Sequence, residues 1–337
     1  MDTITSYISN LFSSYFTGPS LAWYIFVILS IVVFTRCRIL TFITAWVPLA
    51  LTLLFLIFRN DLDRGLNSST FFSGFSVGGN IAETKDAPEN SMAALQLALS
   101  KKNAVLFNVR MASDGAAVVI RDETTGRTTD KDLVVARTSS AELVKLNFKD
   151  AKGHIPLFKE MMDECRNKRA KVILEMEDSS QALLTEISDY VRKHDLYHQV
   201  VVTSSHPSVV FFMKRTDPRM LTGLNLPTSC GLFYSRFGAS VHYKQTNPDS
   251  LIMKFVGQII DDSMQILVNS FMLQRFLGTE VILMRNGDIN INFAKEAKAR
   301  KMMVVAMDAD TKTVQDWLHD VAKVPYFTRN LGGGKEE

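Results

Sequence analysis

The sequence predicts an α/β protein, a TIM (β/α)8 barrel with an N-terminal transmembrane helical segment, and three observations lead there. From Ser76 onward, short β-rich runs alternate with helically patterned ones, giving eight candidate strands with helices between most of them. The stretch they occupy has about the 250-residue span that such a barrel takes. The excess of apolar residues sits in the first 58 positions, outside that stretch. An open doubly wound sheet is the alternative, but no Gly-rich dinucleotide loop follows a strand.

Bulk properties narrow the function classes. A formal net charge of +3 over 337 residues is nearly neutral, which argues against a nucleic-acid binder held by phosphate contacts. The three cysteines, Cys37, Cys165 and Cys230, form neither a disulfide framework nor a metal-ligand spacing.

Residues 1–60 read as a membrane anchor of one or two transmembrane helices. No charge falls between Asp2 and Arg36, Leu21–Thr35 is almost wholly apolar, and Ile39–Phe58 has the roughly 20-residue length of one bilayer span. A cleaved signal peptide needs a basic start and a small-residue cleavage site; neither is evident, so the anchor is expected to stay. Two spans joined at Arg36-Cys37-Arg38 form a tight hairpin whose arginines favour the cytoplasm. The barrel then lies on the lumenal or extracellular side of an integral membrane protein. Asn67-Ser68-Ser69 is an N-glycosylation sequon consistent with that side, although such tripeptides also arise by chance.

Residues 61–75 read as a polar linker, 76–331 as the barrel and 332–337 as a flexible tail. Candidate strands are Phe75–Gly78, Ala104–Met111, Lys171–Glu177, Gln199–Ser204, Met220–Leu226, Glu280–Met284, Met302–Met307 and Tyr326–Thr328. Candidate helices are Ser91–Lys101, Leu157–Lys168, Gln181–His194, Pro207–Arg215, Phe293–Arg300 and Val314–Val321. Arg137–Lys149 and Leu251–Leu277 are insertions relative to a minimal barrel. The second is an amphipathic helix packed on the barrel or, alternatively, a second membrane contact.

Within the barrel, Asp86-Ala87-Pro88-Glu89-Asn90 stands at a set spacing from Ser113-Asp114-Gly115, from Asp122 and from Arg127-Thr128-Thr129. Ile155-Pro156-Leu157 and the strand end Val201–Pro207 add to the pattern. With these motifs the chain resembles the glycerophosphodiester phosphodiesterases, most closely their membrane-anchored branch. The resemblance implies hydrolysis of a glycerophosphodiester to glycerol 3-phosphate and an alcohol, on a TIM barrel with a divalent cation. It implies His-Arg-Gly ending the first strand, Glu-x-Asp on the second, a second His before an Asp, and an acid on the third strand.

Counted back without gaps from Pro88, those positions hold other residues. Asn80, Ile81 and Ala82 stand for His-Arg-Gly, Leu106 and Asn108 for the paired acids, and Arg121 for the second His. Glu175 alone keeps its acid, and Glu177 replaces a family Lys. Neither Asn nor Arg shuttles protons near neutral pH. Leu106 offers a cation no oxygen, and one anionic ligand is too few to hold calcium or magnesium well. The expectation is therefore a pseudoenzyme with no intact catalytic residue and no cofactor. Mg or Ca returns only if the site has been rebuilt and the chain is an active phosphoric diester hydrolase of glycerophosphodiesters or lysophospholipids.

Three sets of residues are candidates for such rebuilding. His206 ends the fourth strand, Asp308 and Asp310 end the seventh, and His194 and His198 lie four apart. Plainer readings are a loop histidine, a helix N-cap at Asp310, and solvated histidines at a helix end. Asn90 reads as an N-cap for the helix beginning at Ser91, and Asp114-Gly115 as a strand turn. Leu106, Asn108 and Arg110 share one strand face. With Arg121 and Asn80, Asn108 and Arg110 would make a positive, metal-free pocket for a phosphorylated headgroup; equally, both arginines are ordinary ion-paired residues. The expected partners are membrane lipid and either such a headgroup or a membrane partner protein.

Overall fold

A computed structural model describes residues 27, 29–31, 38–60, 68–74, 76–84, 86–149, 151–225 and 262–331. The chain divides into two units: Met1–Arg59 with Ser229–Ser235 and Lys244–Ser270, and Asn60–Thr228 with Arg236–Tyr243 and Phe271–Glu337. Most of Leu21–Thr35, Cys37, Asn67, Cys230 and the tail 332–337 lie outside the described residues.

In the first unit a 21-residue helix runs Arg38–Phe58. Trp46, Leu49, Leu51, Leu53, Leu54, Leu56, Ile57 and Phe58 on it are exposed. Taken over the described residues alone, no helix is long and apolar enough to cross a membrane.

The second unit is the barrel. Its strands are β1 (Val77–Asn80), β2 (Ala104–Met111), β3 (Ala117–Val118), β4 (Lys171–Met176), β5 (Val200–Ser204), β6 (Leu221–Asn225), β7 (Val281–Arg285), β8 (Met303–Met307) and β9 (Tyr326–Thr328). β1 pairs in parallel with both β2 and β9, which closes a ring of eight parallel strands; only β3 stands outside it, antiparallel to β2. That side ribbon turns at Gly115, whose φ of +80° suits glycine. β1 sits two residues further along than the sequence suggests. Its Gly78 lies under Phe327 of β9, where a Cβ would meet the ring at 2.2 Å.

Helices Met92–Lys101, Phe158–Asn167, Gln181–His194, Pro207–Thr216 and Ile291–Ala299 fall within two residues of the expected ones. The last expected helix, Val314–Val321, is instead an α-helix Lys312–Asp316 that widens into a π-helix Trp317–Ala322. Residues 262–269 of the second insertion are helical.

Alternation along the strands makes two cores. Val105, Phe107, Val172, Leu174 and Val202 face outward against the helices. Leu106, Ile173, Val201, Leu221, Leu283, Val305 and Phe327 fill the interior, together with Phe71 and Phe72. These two rings belong to a short helix, Ser68–Phe72. Ser68 Oγ donates to the carbonyl of Lys301 at 3.2 Å, and Lys171 Nζ lies 5.4 Å from the Phe71 ring centre. Lys301 and Lys171 both lie where strands begin, so the helix stoppers the N-terminal end of the barrel. Part of the stretch read as a polar linker is thus core.

Candidate functional site

The opposite end, where the strands finish, carries the polar residues. In register, Asn80 faces Leu106, Asn108 faces Glu175, and Glu175 faces Thr203. Alternation therefore sorts the inward residues of β2 by height: Leu106 belongs to the apolar layer, 1% exposed, and Asn108 to the polar layer above it.

Asn108 is the hub of that layer. Its Nδ2 donates to Glu177 Oε1 at 2.6 Å and to Glu175 Oε2 at 3.3 Å. Its own N–H donates to Asn90 Oδ1 at 3.1 Å, and Asn90 Nδ2 donates back to Asn108 Oδ1 at 3.3 Å. Asn225 of β6 donates to the second oxygen of Glu175. Asn90 sits at φ +54°, a left-handed conformation that Asn tolerates. It is not the helix cap that the sequence suggests. Ser91 caps the helix by accepting from the N–H of Ala94 at 3.1 Å, which releases Asn90 to cross-link two strand ends.

The charged residues form a second ring outside this hub. Arg121 donates from Nη1 to Glu83 Oε1 at 2.6 Å and lies 3.8 Å from Glu89 and 3.6 Å from Asp122. Its Nε is buried without a hydrogen-bond partner. Arg110 donates from Nε to the carbonyl of Arg121 at 2.6 Å and lies 3.9 Å from Glu177. Arg127 ties Asp122 to Glu89. Asp310 pairs with Arg329 and accepts from its N–H at 2.9 Å, so it is not an N-cap; Thr311 holds that position.

Crowded carboxylates in a dry place resist ionisation. Burial, with Glu175 beside it, pushes Glu177 up to about 8. Burial also holds Glu175 above the usual range, offset by the Asn225 hydrogen bond and reinforced by Glu83. Glu83 and Asp308 are raised as well, again chiefly by burial. Arg121 is the shared counter-charge, pulling all four back down.

The expected positions meet these facts unevenly. Asn108 and Glu175 come together at the mouth, whereas Asn80 stands in register with Leu106 and turns its Oδ1 back to the N–H of Ala82 at 3.1 Å. Ile81 is fully buried among the outer-core residues, on the wrong side to meet a ligand. Arg110 and Arg121 reach the mouth, yet both are answered by carboxylates, so the pocket is not simply positive. Exposed His206 sits at the N-cap position of its helix without a side-chain cap bond. His194 takes a contact from Arg166 at 2.7 Å. Sequence reasoning passed over Glu83, Asn225 and Arg329. Each lies at the end of a barrel strand or within three residues after it, and that placement is the signal that could have found them.

The divalent cation implied by the resemblance does not fit these donors. Leu106 lies in the apolar layer, Asn108 has its oxygen turned to Asn90, and both oxygens of Glu175 accept amide hydrogens. Among the described residues no group of three or more His, Cys, Asp and Glu is disposed to hold a metal ion.

Comparison with known proteins agrees with the architecture. Glycerophosphodiester phosphodiesterase 1 of Mus musculus is 26% identical over 264 residues, 73% of this chain and 75% of its own length. The Homo sapiens protein of that name is 26% identical over 259 residues, with the same coverage. Among solved structures, a glycerophosphodiester phosphodiesterase from Agrobacterium tumefaciens matches at TM-score 0.57 and 16% identity, over 76% of this chain and 97% of that one. An Oleispira antarctica phosphodiesterase in complex with the product sn-glycerol-3-phosphate matches at TM-score 0.55 and 18% identity, over 77% and 94%. The profile of the Glycerophosphoryl diester phosphodiesterase family covers residues 82–331, from the turn after β1 to beyond β9. Barrel, motif spacing and that span agree: the chain belongs to the glycerophosphoryl diester phosphodiesterase family.

Proposed function

We propose that this chain is a membrane-anchored member of its family that binds a phosphorylated, lipid-derived ligand at the barrel mouth and does not hydrolyse it. Arg121 carries this reading. It stands where the resemblance calls for a proton carrier, and a guanidinium does not give up its proton. It supplies the carboxylates around it with a permanent positive charge, the service a bound cation would otherwise perform. Its Nε–H is buried with no acceptor, a donor that a ligand oxygen would satisfy.

The test is direct. Full-length protein should release no glycerol 3-phosphate from glycerophosphodiesters or lysophospholipids above a buffer control, with or without added magnesium or calcium. Titration calorimetry should show binding of glycerol 3-phosphate that Arg121→Met abolishes. Absence of heat with the unsubstituted protein would remove the binding half of the reading.

A second reading, an active diesterase with a rebuilt site, draws on Glu177. A carboxyl still protonated near neutral pH is able to serve as a general acid. Under that reading the assay detects turnover, and Glu177→Gln abolishes it.

The anchor reading is supported by the apolar run Ile39–Phe58 and its helix. It places the barrel on the lumenal or extracellular side, with sugar on Asn67. A glycosidase-sensitive mass shift, lost in Asn67→Gln, tests that side.

A further inference from the structure

Arg121 meets three carboxylates, and they do not hold it alike. Asp122 lies 3.6 Å from its Nε and Glu89 3.8 Å from its Nη2, too far for either to be a hydrogen bond. Both acids are drawn to Arg127 instead, Glu89 at 2.6 Å and Asp122 at 2.5 Å. Glu83 is the one of the three that grips the guanidinium, accepting from Nη1 at 2.6 Å.

Glu83 has little else to hold it there. Its other ionic neighbour among the described residues is Arg329, at 4.0 Å, which is itself engaged with Asp310. Burial raises the Glu83 carboxyl above its ordinary range although Arg121 stands beside it, so lost hydration offsets what the pairing contributes. Its side chain is 30% exposed, against 4% for Asp122. Of the three acids, the one bonded to Arg121 is thus also the one best placed to turn out to water.

The backbone gives that movement a fixed pivot. Just past the end of β1, the Ile81 N–H donates to the carbonyl of Leu106 at 3.1 Å, and the Asn90 N–H donates to the carbonyl of Ile81 at 2.8 Å. Further along the same turn, Asp86 accepts from the N–H of Leu331 at 2.5 Å. A swing of Glu83 is therefore a rotation about side-chain bonds, fast for an exposed group, and needs no shift of the turn. Until it happens, Arg121 has Nη1 occupied and its acceptor-less Nε buried.

We infer that Glu83 is a built-in competitor for the ligand: its carboxylate holds the place on Arg121 that a phosphate oxygen takes in the complex, and binding exchanges one anion for the other. The inference rests on the ligand reading above and adds the regulation of that site. A compound without an anionic oxygen has nothing to exchange and is turned away. A phosphate ester brings several charged oxygens to a guanidinium built to take two at once, and so outcompetes the single carboxylate oxygen.

Full-length protein and its Glu83→Gln and Glu83→Asp variants, each titrated with glycerol 3-phosphate in the calorimeter, provide the test. Gln removes the charge, whereas Asp keeps the charge and draws it back from Nη1 by one bond. Both variants are expected to bind several-fold more tightly than the parent; Glu83→Ala replaces Glu83→Gln should that variant fail to fold. Equal affinity in all three proteins, or weaker binding in the variants, overturns the inference and leaves the ligand reading intact. Tighter binding in Glu83→Gln with parental binding in Glu83→Asp also overturns it, because Glu83 then acts through the field of its charge and not by occupying Arg121. No heat with any of the three removes the ligand reading and this inference with it.

Discussion

The two ends of the barrel handle buried charge in opposite ways. At the end where strands begin, Lys214 and Glu280 are both almost wholly buried and meet each other directly. Lys214 also donates to the carbonyl of Met220 at 2.8 Å, and Glu280 accepts from the N–H of Thr222 at 3.0 Å. At the mouth, Glu175 and Glu177 crowd one asparagine amide, and a guanidinium nitrogen of Arg121 is left without an acceptor. The Lys214–Glu280 pair is satisfied by its own residues. Burial raises the carboxyls at both ends, Glu280 included; what sets the mouth apart is two acids crowded on one amide and a donor without a hydrogen bond, which suits the ligand site proposed above.

This contrast can be broken by substitution. Glu280→Ala leaves the Lys214 ammonium buried without a counter-charge, so a loss of about 3–5 kcal/mol is expected in urea unfolding. A loss below about 1 kcal/mol would show that water reaches this end and that the seal is not one. Asn108→Ala removes one amide shared by two carboxyls and the exchange with Asn90, for an expected cost of about 1–3 kcal/mol. The order of these two losses is itself the test, because the comparison requires the first to exceed the second.

The mildest change sharpens the comparison through pH. The folded chain holds the Glu177 proton up to about 8, whereas an unfolded carboxyl releases it near 4.5. Between those values the folded state binds more protons, so stability falls as pH rises and levels off above about 8. Glu177→Gln still accepts from Asn108 through its amide oxygen and carries no charge. Its unfolding free energy should lose that share of the decline, so the variant gains on the parent as pH climbs. Parallel pH profiles for the two proteins would mean that Glu177 is hydrated and the mouth is wetter than its packing implies.

The fold was legible because it rests on repetition. Most barrel strands announced themselves by a short apolar run, β1 with its Val-Gly-Gly-Asn being the exception, and burial of the outward residues Val105, Phe107 and Val109 needs nothing more specific than that pattern. The site was legible only as far as side-chain identity goes. Asn80, Leu106, Asn108 and Arg121 mark the loss of proton carriers, but nothing in their order says which oxygen each amide faces. Asn90 shows the limit. Its type and position suit a helix cap, and only a positive φ and a strand end brought next to it reveal a cross-link to Asn108. The helix Ser68–Phe72 escaped notice for a related reason. Five residues carry no periodicity, and what buries Phe71 is the hollow of a barrel formed by strands far along the chain.

The pairing of β1 with β9 also governs how the chain reaches this shape. Val77 and Tyr326 are partners, so the ring is sealed by segments separated by nearly the whole domain. Joining such distant segments gives up much chain entropy before any contact rewards it, which makes closure a late and slow event. Until then β1 and β9 are unprotected edges able to pair with another copy of the chain. The close fit of Gly78 beneath Phe327 lies in that last seam, and a bulkier residue there would prolong the vulnerable interval, leaving an aggregation-prone intermediate for chaperones to hold.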